Sequence, residues 1–130
     1  MTELLAGLAR RGVELRILHA RLPSRAFCQG FDRHPELVRG GLELRQCPRV
    51  HFKAVVVDGS FLYLGSANWT GAAMGIRKPN RRNFELGLVS DDPVLLDQVQ
   101  EHYQRIWSGE LCGACQLSCE APLNLEGPGG

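Results

Sequence analysis

His51 and Lys53 stand two residues apart in the run HFKAVVVD, and Asp58, Gly65, Ser66 and Asn68 follow at short intervals. Residues two apart on a strand share a face. An imidazole there is a nucleophile and a proton carrier, and the ammonium beside it holds an anion. Asp58-Gly59 is a tight-turn pair, after which Phe61 to Leu64 reads as an apolar return strand. A hairpin closed at that turn brings its outer ends together, so His51 and Lys53 meet Ser66 and Asn68. A cation, an amide and a hydroxyl around an imidazole make an anion site. The set contains no cluster of carboxylates and so implies no metal.

The elements that must position these residues follow from hydrophobic periodicity. Thr2 to Arg11 reads as a short amphipathic helix, stopped at Gly12. Val13 to Leu18 reads as a strand, and Ala20 to Arg33 as an irregular segment broken by Pro23 and Gly30. Pro35 to Arg39 is a short helix with proline at its first turn. Leu42 to Arg45 alternates as a strand, and His51 to Asp58 is a strong strand. Residues 69–82 form a loop, and Phe84 to Val89 is a further strand. Asp91 or Asp92 caps a helix that begins at Pro93 and carries Leu95, Leu96, Val99, Tyr103 and Ile106 at helical spacing. This order predicts an α/β fold, a mixed β-sheet flanked by helices.

The chain has 130 residues, of which 44% are hydrophobic and 22% charged, which fits a folded globular domain and excludes disorder as its ground state. No apolar run approaches the roughly 20 residues of a membrane-spanning helix. The N-terminus does not read as a signal peptide, so a cytoplasmic or peripheral location is favoured. The net charge of +1 divides unevenly, because residues 1–90 carry +7 and residues 91–130 carry −6. A basic body favours anionic partners.

The motif H-x-K-x4-D-x6-G-S-x-N, filled by His51, Lys53, Asp58, Gly65, Ser66 and Asn68, resembles the signature of the phospholipase D superfamily. The flanks agree: Ala54 to Val57 is similar to the family's buried strand, Asn83-Phe84-Glu85 to a downstream acidic segment, and Trp107-Ser108-Gly109 to the end of the closing helix. The resemblance covers about residues 2–109, which define the expected domain, with residues 110–130 as a cysteine-containing tail ending in Gly and Pro. It implies the phospholipase D-like fold and phosphodiester cleavage in two steps without a cofactor. His51 is then the nucleophile that forms a covalent phosphohistidine, and a second histidine acts as acid and later as base. Lys53 and Asn68 bind the non-bridging oxygens of the phosphate, in a pocket that Ser66 helps to shape. Asp58 is a supporting acid, and Glu85 orients an imidazole.

The family's site needs two histidines and this chain has one motif, which implies a homodimer with a composite site. The family domain also opens with a strand and the start of a helix ahead of the segment matching Leu4 to Leu18, so the expected domain is incomplete at its N-terminus. The substrate class is a phosphodiester, either a phospholipid or a nucleic acid. One alternative is a single-motif endonuclease of the same family. Another is an inactive remnant that binds anionic phosphate surfaces or nucleic acid.

Further candidates lie outside the motif. Arg77, Lys78, Arg81 and Arg82 form a basic stretch, with no acid between Gly59 and Phe84, suited to steering phosphate. Trp69 is placed to stack on a base or to enter a membrane interface. Cys112, Cys115 and Cys119 have the spacing C-x2-C-x3-C, which supplies three thiolate ligands to a metal and lacks a fourth. Cys28 and Cys47 read as small buried hydrophobes. His19, His34 and His102 are not expected in the chemistry.

Overall fold

A computed structural model describes residues 1–21, 24–67, 84–115 and 117. Asn68, Trp69, the rest of the expected loop with its four basic residues, Asn83 and Cys119 lie outside the described residues. The chain divides into two compact units, one of residues Met1–Val50 with Ala114–Gly130, the other of His51–Gly113. The boundary falls immediately before His51.

In the first unit, α1 (Thr2–Arg10) leads into β1 (Arg16–His19), then α2 (Arg25–Arg33), α3 (Pro35–Arg39) and β2 (Glu43–Gln46). The helix α1 closes where Gly12 takes a φ of 79°, which lets the Val13 N–H return to the Leu8 carbonyl. β1 and β2 pair in parallel, Arg16 with Glu43 through His19 with Gln46. Parallel partners need a crossover, which α2 and α3 supply. The core of the unit is Ala6, Ala9, Phe31, Leu37, Leu42 and Leu44, with Leu5, Leu15, Ile17, Phe27 and Val38 packed against it.

The helix α2 corrects the expectation of an irregular segment over Ala20 to Arg33. Its start is built by Ser24, whose hydroxyl accepts the Phe27 N–H at 3.2 Å. Phe27 and Phe31, one turn apart, meet edge to face with centroids 5.2 Å apart. Gly30 reads as a breaker in sequence, yet it is a contact residue. A Cβ there would collide with the Thr2 side chain, so the missing side chain lets α1 approach α2. Tertiary packing outweighs the glycine's low helix propensity.

The second unit holds an antiparallel sheet in the order β3 (Lys53–Val57), β4 (Phe61–Gly65), β5 (Gly87–Ser90), followed by α4 (Pro93–Trp107) and a 3-10 turn at Glu110–Cys112. The α/β class and both kinds of strand pairing are present, distributed over two sheets among the described residues. Asp92 caps α4, accepting the Leu95 N–H at 2.8 Å, with Pro93 at the first position, as the sequence predicts. Among the described residues, Leu62, Leu96 and Trp107 are the buried large side chains of this unit. Phe52 meets His102 of α4 with ring centroids 5.7 Å apart, and Gln100 reaches the turn at Gly59. Among the described residues no helix is long and apolar enough to cross a membrane.

An ionic cluster ties the ends of the first unit's helices. Arg10 binds Glu36 and Glu3, and His34 lies 3.1 Å from Glu3 and 3.6 Å from Glu36. The Glu36 carboxyl is held below its ordinary value, first by a hydrogen bond within its own backbone and then, against the opposing effect of burial, by Arg10. A depressed carboxyl pKa contributes stability above the unfolded carboxylate range, and that contribution is lost as pH falls through the folded value. Glu36→Gln is therefore expected to lower the Tm by about 2–4 °C near neutral pH. In thermal melts followed by circular dichroism, the gap to the parent chain should close in acid.

Candidate active site

The turn fixes the register of the site. Asp58 and Gly59 have φ values of 51° and 63°, and the Ser60 N–H donates to the Val57 carbonyl at 3.0 Å. Positive φ at both central residues matches the right-handed twist of the flanking strands, which is why Asp-Gly suits this place. Pairing then runs from Val57 with Phe61 to Lys53 with Gly65. Gly65 in turn pairs with Gly87 of β5. Lys53, Gly65 and Gly87 therefore form one row across the sheet, at the end away from the turn.

His51 and Lys53 meet as the spacing predicts. The Lys53 Nζ donates to the His51 carbonyl at 2.8 Å, and His51 is exposed just ahead of β3. Phe52, between them, points to the opposite face and touches α4. His102 packs on that ring, so within this unit it stands on the side away from Lys53. His34 is engaged with Glu3 and Glu36, and the His19 Nδ1 lies 2.6 Å from the Arg21 carbonyl.

Ser66 follows the glycine of the row. Its N–H donates to the Leu86 carbonyl at 2.9 Å, so the pairing of β4 with β5 continues one step further. The return bond is different: the Leu86 N–H donates to the Ser66 hydroxyl at 3.0 Å and not to a carbonyl. The same hydroxyl donates its proton to Glu85 Oε2. A serine side chain has replaced a rung of the ladder. This explains why the observed strand starts at Gly87, whereas the sequence pattern predicts a strand from Phe84. Ser66 and Glu85 are thus brought together, and the bond that Glu85 makes here is with Ser66. The Ser66 hydroxyl thus joins Glu85 and the Leu86 N–H at this end of the sheet.

Asp58 is not brought to this cluster. It lies past the other end of β3, about 17 Å along the strand from Lys53. Its visible role is to adopt the left-handed conformation of the turn, which aspartate tolerates better than most residues. Cys112 and Cys115 are free thiols, and no group of three metal-ligating side chains occurs among the described residues.

Two residues of this end were not singled out from the sequence. Tyr63 lays its ring across Gly65 and Gly87: a Cβ at Gly87 would stand 2.7 Å from Tyr63 Cε2 and 2.9 Å from Oη, and one at Gly65 closer still. A glycine inside the strand pattern at position 87 is the signal of close approach that was available. Gly65→Ala is expected to push the ring off the strand and to cost about 1–2 kcal/mol in urea unfolding. Gly113→Ala, where a Cβ meets nothing within 4 Å, serves as the control and should change stability by less than about 0.5 kcal/mol.

Comparison with known proteins finds relatives of this chain. The family model described as "Cardiolipin synthase, PLD-like domain" matches residues 1–107. The mitochondrial cardiolipin hydrolase of Xenopus tropicalis is 38% identical over 58 residues, 45% of this chain and 25% of that protein. The mitochondrial cardiolipin hydrolase of Chlamydomonas reinhardtii is 28% identical over 110 residues, 82% of this chain and 45% of that protein. This chain thus spans less than half the length of those relatives. Among solved structures, TrmBL2, an archaeal chromatin protein, superposes with a TM-score of 0.53 over 82% of this chain and 37% of its own, at 16% identity. That likeness is one of fold.

Proposed function

The chain belongs to the PLD-like domain family, within the phospholipase D superfamily, and from that membership we propose that it is a phosphodiester hydrolase with His51 as its nucleophile. The observation that carries the reading is the hairpin register, which sets the His51 backbone against Lys53 and pairs Lys53 with Gly65, next to Ser66.

In the first step a ring nitrogen of His51 attacks phosphorus. The P–N bond forms as the P–O bond to the leaving alcohol breaks, and a second histidine donates the proton that the alcohol takes. In the second step the same histidine, now neutral, removes a proton from water. The oxygen attacks phosphorus and the P–N bond breaks, which leaves a phosphomonoester and free His51. Lys53 neutralises charge on the non-bridging oxygens through both steps, together with Asn68. Glu85 acts through Ser66, whose hydroxyl it orients, and Asp58 supports the site by closing the hairpin. No step of the proposed chemistry calls for a metal or cofactor.

The second histidine is supplied by another copy of the chain. Supporting this, His102 packs against Phe52, on the face of the sheet away from Lys53. A two-fold axis beside the motif gives one composite site per dimer. A phospholipid is the favoured substrate, because the curated relatives are named as cardiolipin hydrolases. The basic residues from Arg77 to Arg82 suit an anionic membrane surface, and equally a nucleic acid, so single-strand cleavage is the second reading.

Cleavage of bis(4-nitrophenyl) phosphate in excess EDTA tests the proposal. Turnover should persist, and His51→Ala should reduce it by roughly 10⁴-fold or more. Mixing equal amounts of the two chains during refolding should leave about a quarter of the activity if both histidines of a composite site are needed, and about half if each chain works alone. Anionic phospholipid vesicles and single-stranded DNA then separate the two substrate readings. A folded protein that binds either polyanion in a salt-sensitive way without turnover would overturn the enzyme reading in favour of a binding module.

A further inference from the structure

Among the described residues, β5 lies at an edge of its sheet, with β4 on one side and no strand on the other. The Ser66 N–H bonds to the Leu86 carbonyl, and pairing continues as Leu64 with Leu88 and Leu62 with Ser90. Bonding alternates along an antiparallel strand, so Leu86, Leu88 and Ser90 turn their backbone groups to β4. Gly87 and Val89 turn their N–H and C=O groups outward, as the free side of an edge strand does.

The side chains along this edge are apolar and uncovered. Leu88 pairs with Leu64 and lies on the face of Leu62, whereas Val89 pairs with Tyr63 on the other face. Leu86, Leu88 and Val89 are 84%, 50% and 63% exposed, so both faces of the edge lack a neighbour. Sheet edges are ordinarily protected by a charge, a proline or a bulge. Gly87–Ser90 carries neither charge nor proline, and its pairing with β4 runs without a bulge.

The charges at its two ends decide what fits. Glu85 and Asp91 bracket the apolar stretch, and both are exposed. A second copy of β5, antiparallel about Leu88, would set Glu85 of one chain against Asp91 of the other, and like charges directly opposite are destabilising. A strand with basic residues at its ends meets both acids with opposite charge. Beside Leu88 on one face and Val89 on the other, that strand is apolar on both faces, so its sequence is a continuous apolar run.

We propose that the open side of β5 is a docking edge for an extended segment of a partner protein, apolar in its middle and basic at both ends, which adds to the sheet by backbone pairing. The edge lies outside the phosphodiester chemistry, so its test needs no turnover and leaves that reading untouched.

Fluorescence anisotropy of the full chain with the labelled, end-blocked peptide Arg-Val-Ile-Val-Leu-Arg tests it. This peptide should bind about fivefold more tightly than Glu-Val-Ile-Val-Leu-Glu, as two exposed ion pairs allow. Arg-Val-Pro-Pro-Leu-Arg keeps the charge but loses backbone donors, and should bind about tenfold more weakly. Val89→Lys places a like charge on the edge and should weaken the basic peptide about tenfold. Its Tm should stay within about 2 °C of the parent, since Val89 is exposed. If Val89→Lys does not fold, Asp91→Asn must narrow the preference for the basic over the acidic peptide, or the proposal falls. No binding, equal binding of the three peptides, or binding that Val89→Lys leaves unchanged would overturn it. So would self-association of the chain that Val89→Lys abolishes while no peptide binds, because the occupant would then be a second copy.

Discussion

The pairing of Lys53 with Gly65 depends on a turn at the opposite end of the hairpin. Asp58 and Gly59 both take positive φ, which aligns Val57 with Phe61 and every residue beyond. Side chains alternate across a sheet, so a slip of one residue would send Lys53 to the face that carries Phe52 and Leu62. The apolar residues of the strands reinforce the same choice, because Leu62 is fully buried in this register. Asp58 thus governs the site from about 17 Å away. An acid that sits in a signature beside a histidine and a lysine need not touch either.

Ser66 is the second point on which the arrangement turns. An uninterrupted ladder would carry β5 back to Phe84 and fix Glu85 as an ordinary strand residue. The Ser66 hydroxyl instead takes the Leu86 N–H and gives its own proton to Glu85. The backbone groups remain satisfied, which the exchange of one acceptor for another permits at little cost. What changes is direction: the chain leaves the sheet at the site, and a carboxylate is held beside the glycine row. Glu85 is in this way a positioning group for Ser66.

The first unit is assembled by different means. Its small core relies on alanines at the helix contacts and on a glycine, Gly30, that admits the Thr2 side chain. The exposed ion pairs around Arg10 and Glu36 add modest stability, as surface pairs do. The chemistry-bearing residues of the motif belong to the second unit, so the local hairpin suffices to bring His51, Lys53, Ser66 and Glu85 to one end of a sheet.

Much of this was legible in the sequence. The continuous apolar run after Lys53, the Asp-Gly turn and the Asp92-Pro93 helix start are short-range signals, and each formed where its local chemistry placed it. The spacing of His51, Lys53 and Ser66 needed only the period of a strand and one turn to be read as a cluster. The helix over Arg25–Arg33 was hidden because a glycine looks the same in sequence whether it breaks a helix or makes room for a neighbour. The early end of β5 was hidden because a serine hydroxyl competing for a backbone N–H leaves no mark on hydrophobic periodicity. Tyr63 read as one more apolar strand residue, and only the pairing of two glycines from separate strands showed where its hydroxyl lies. Period and turn chemistry are local and travel with the chain, whereas close approach between strands is a property of pairs that sequence order does not bring together.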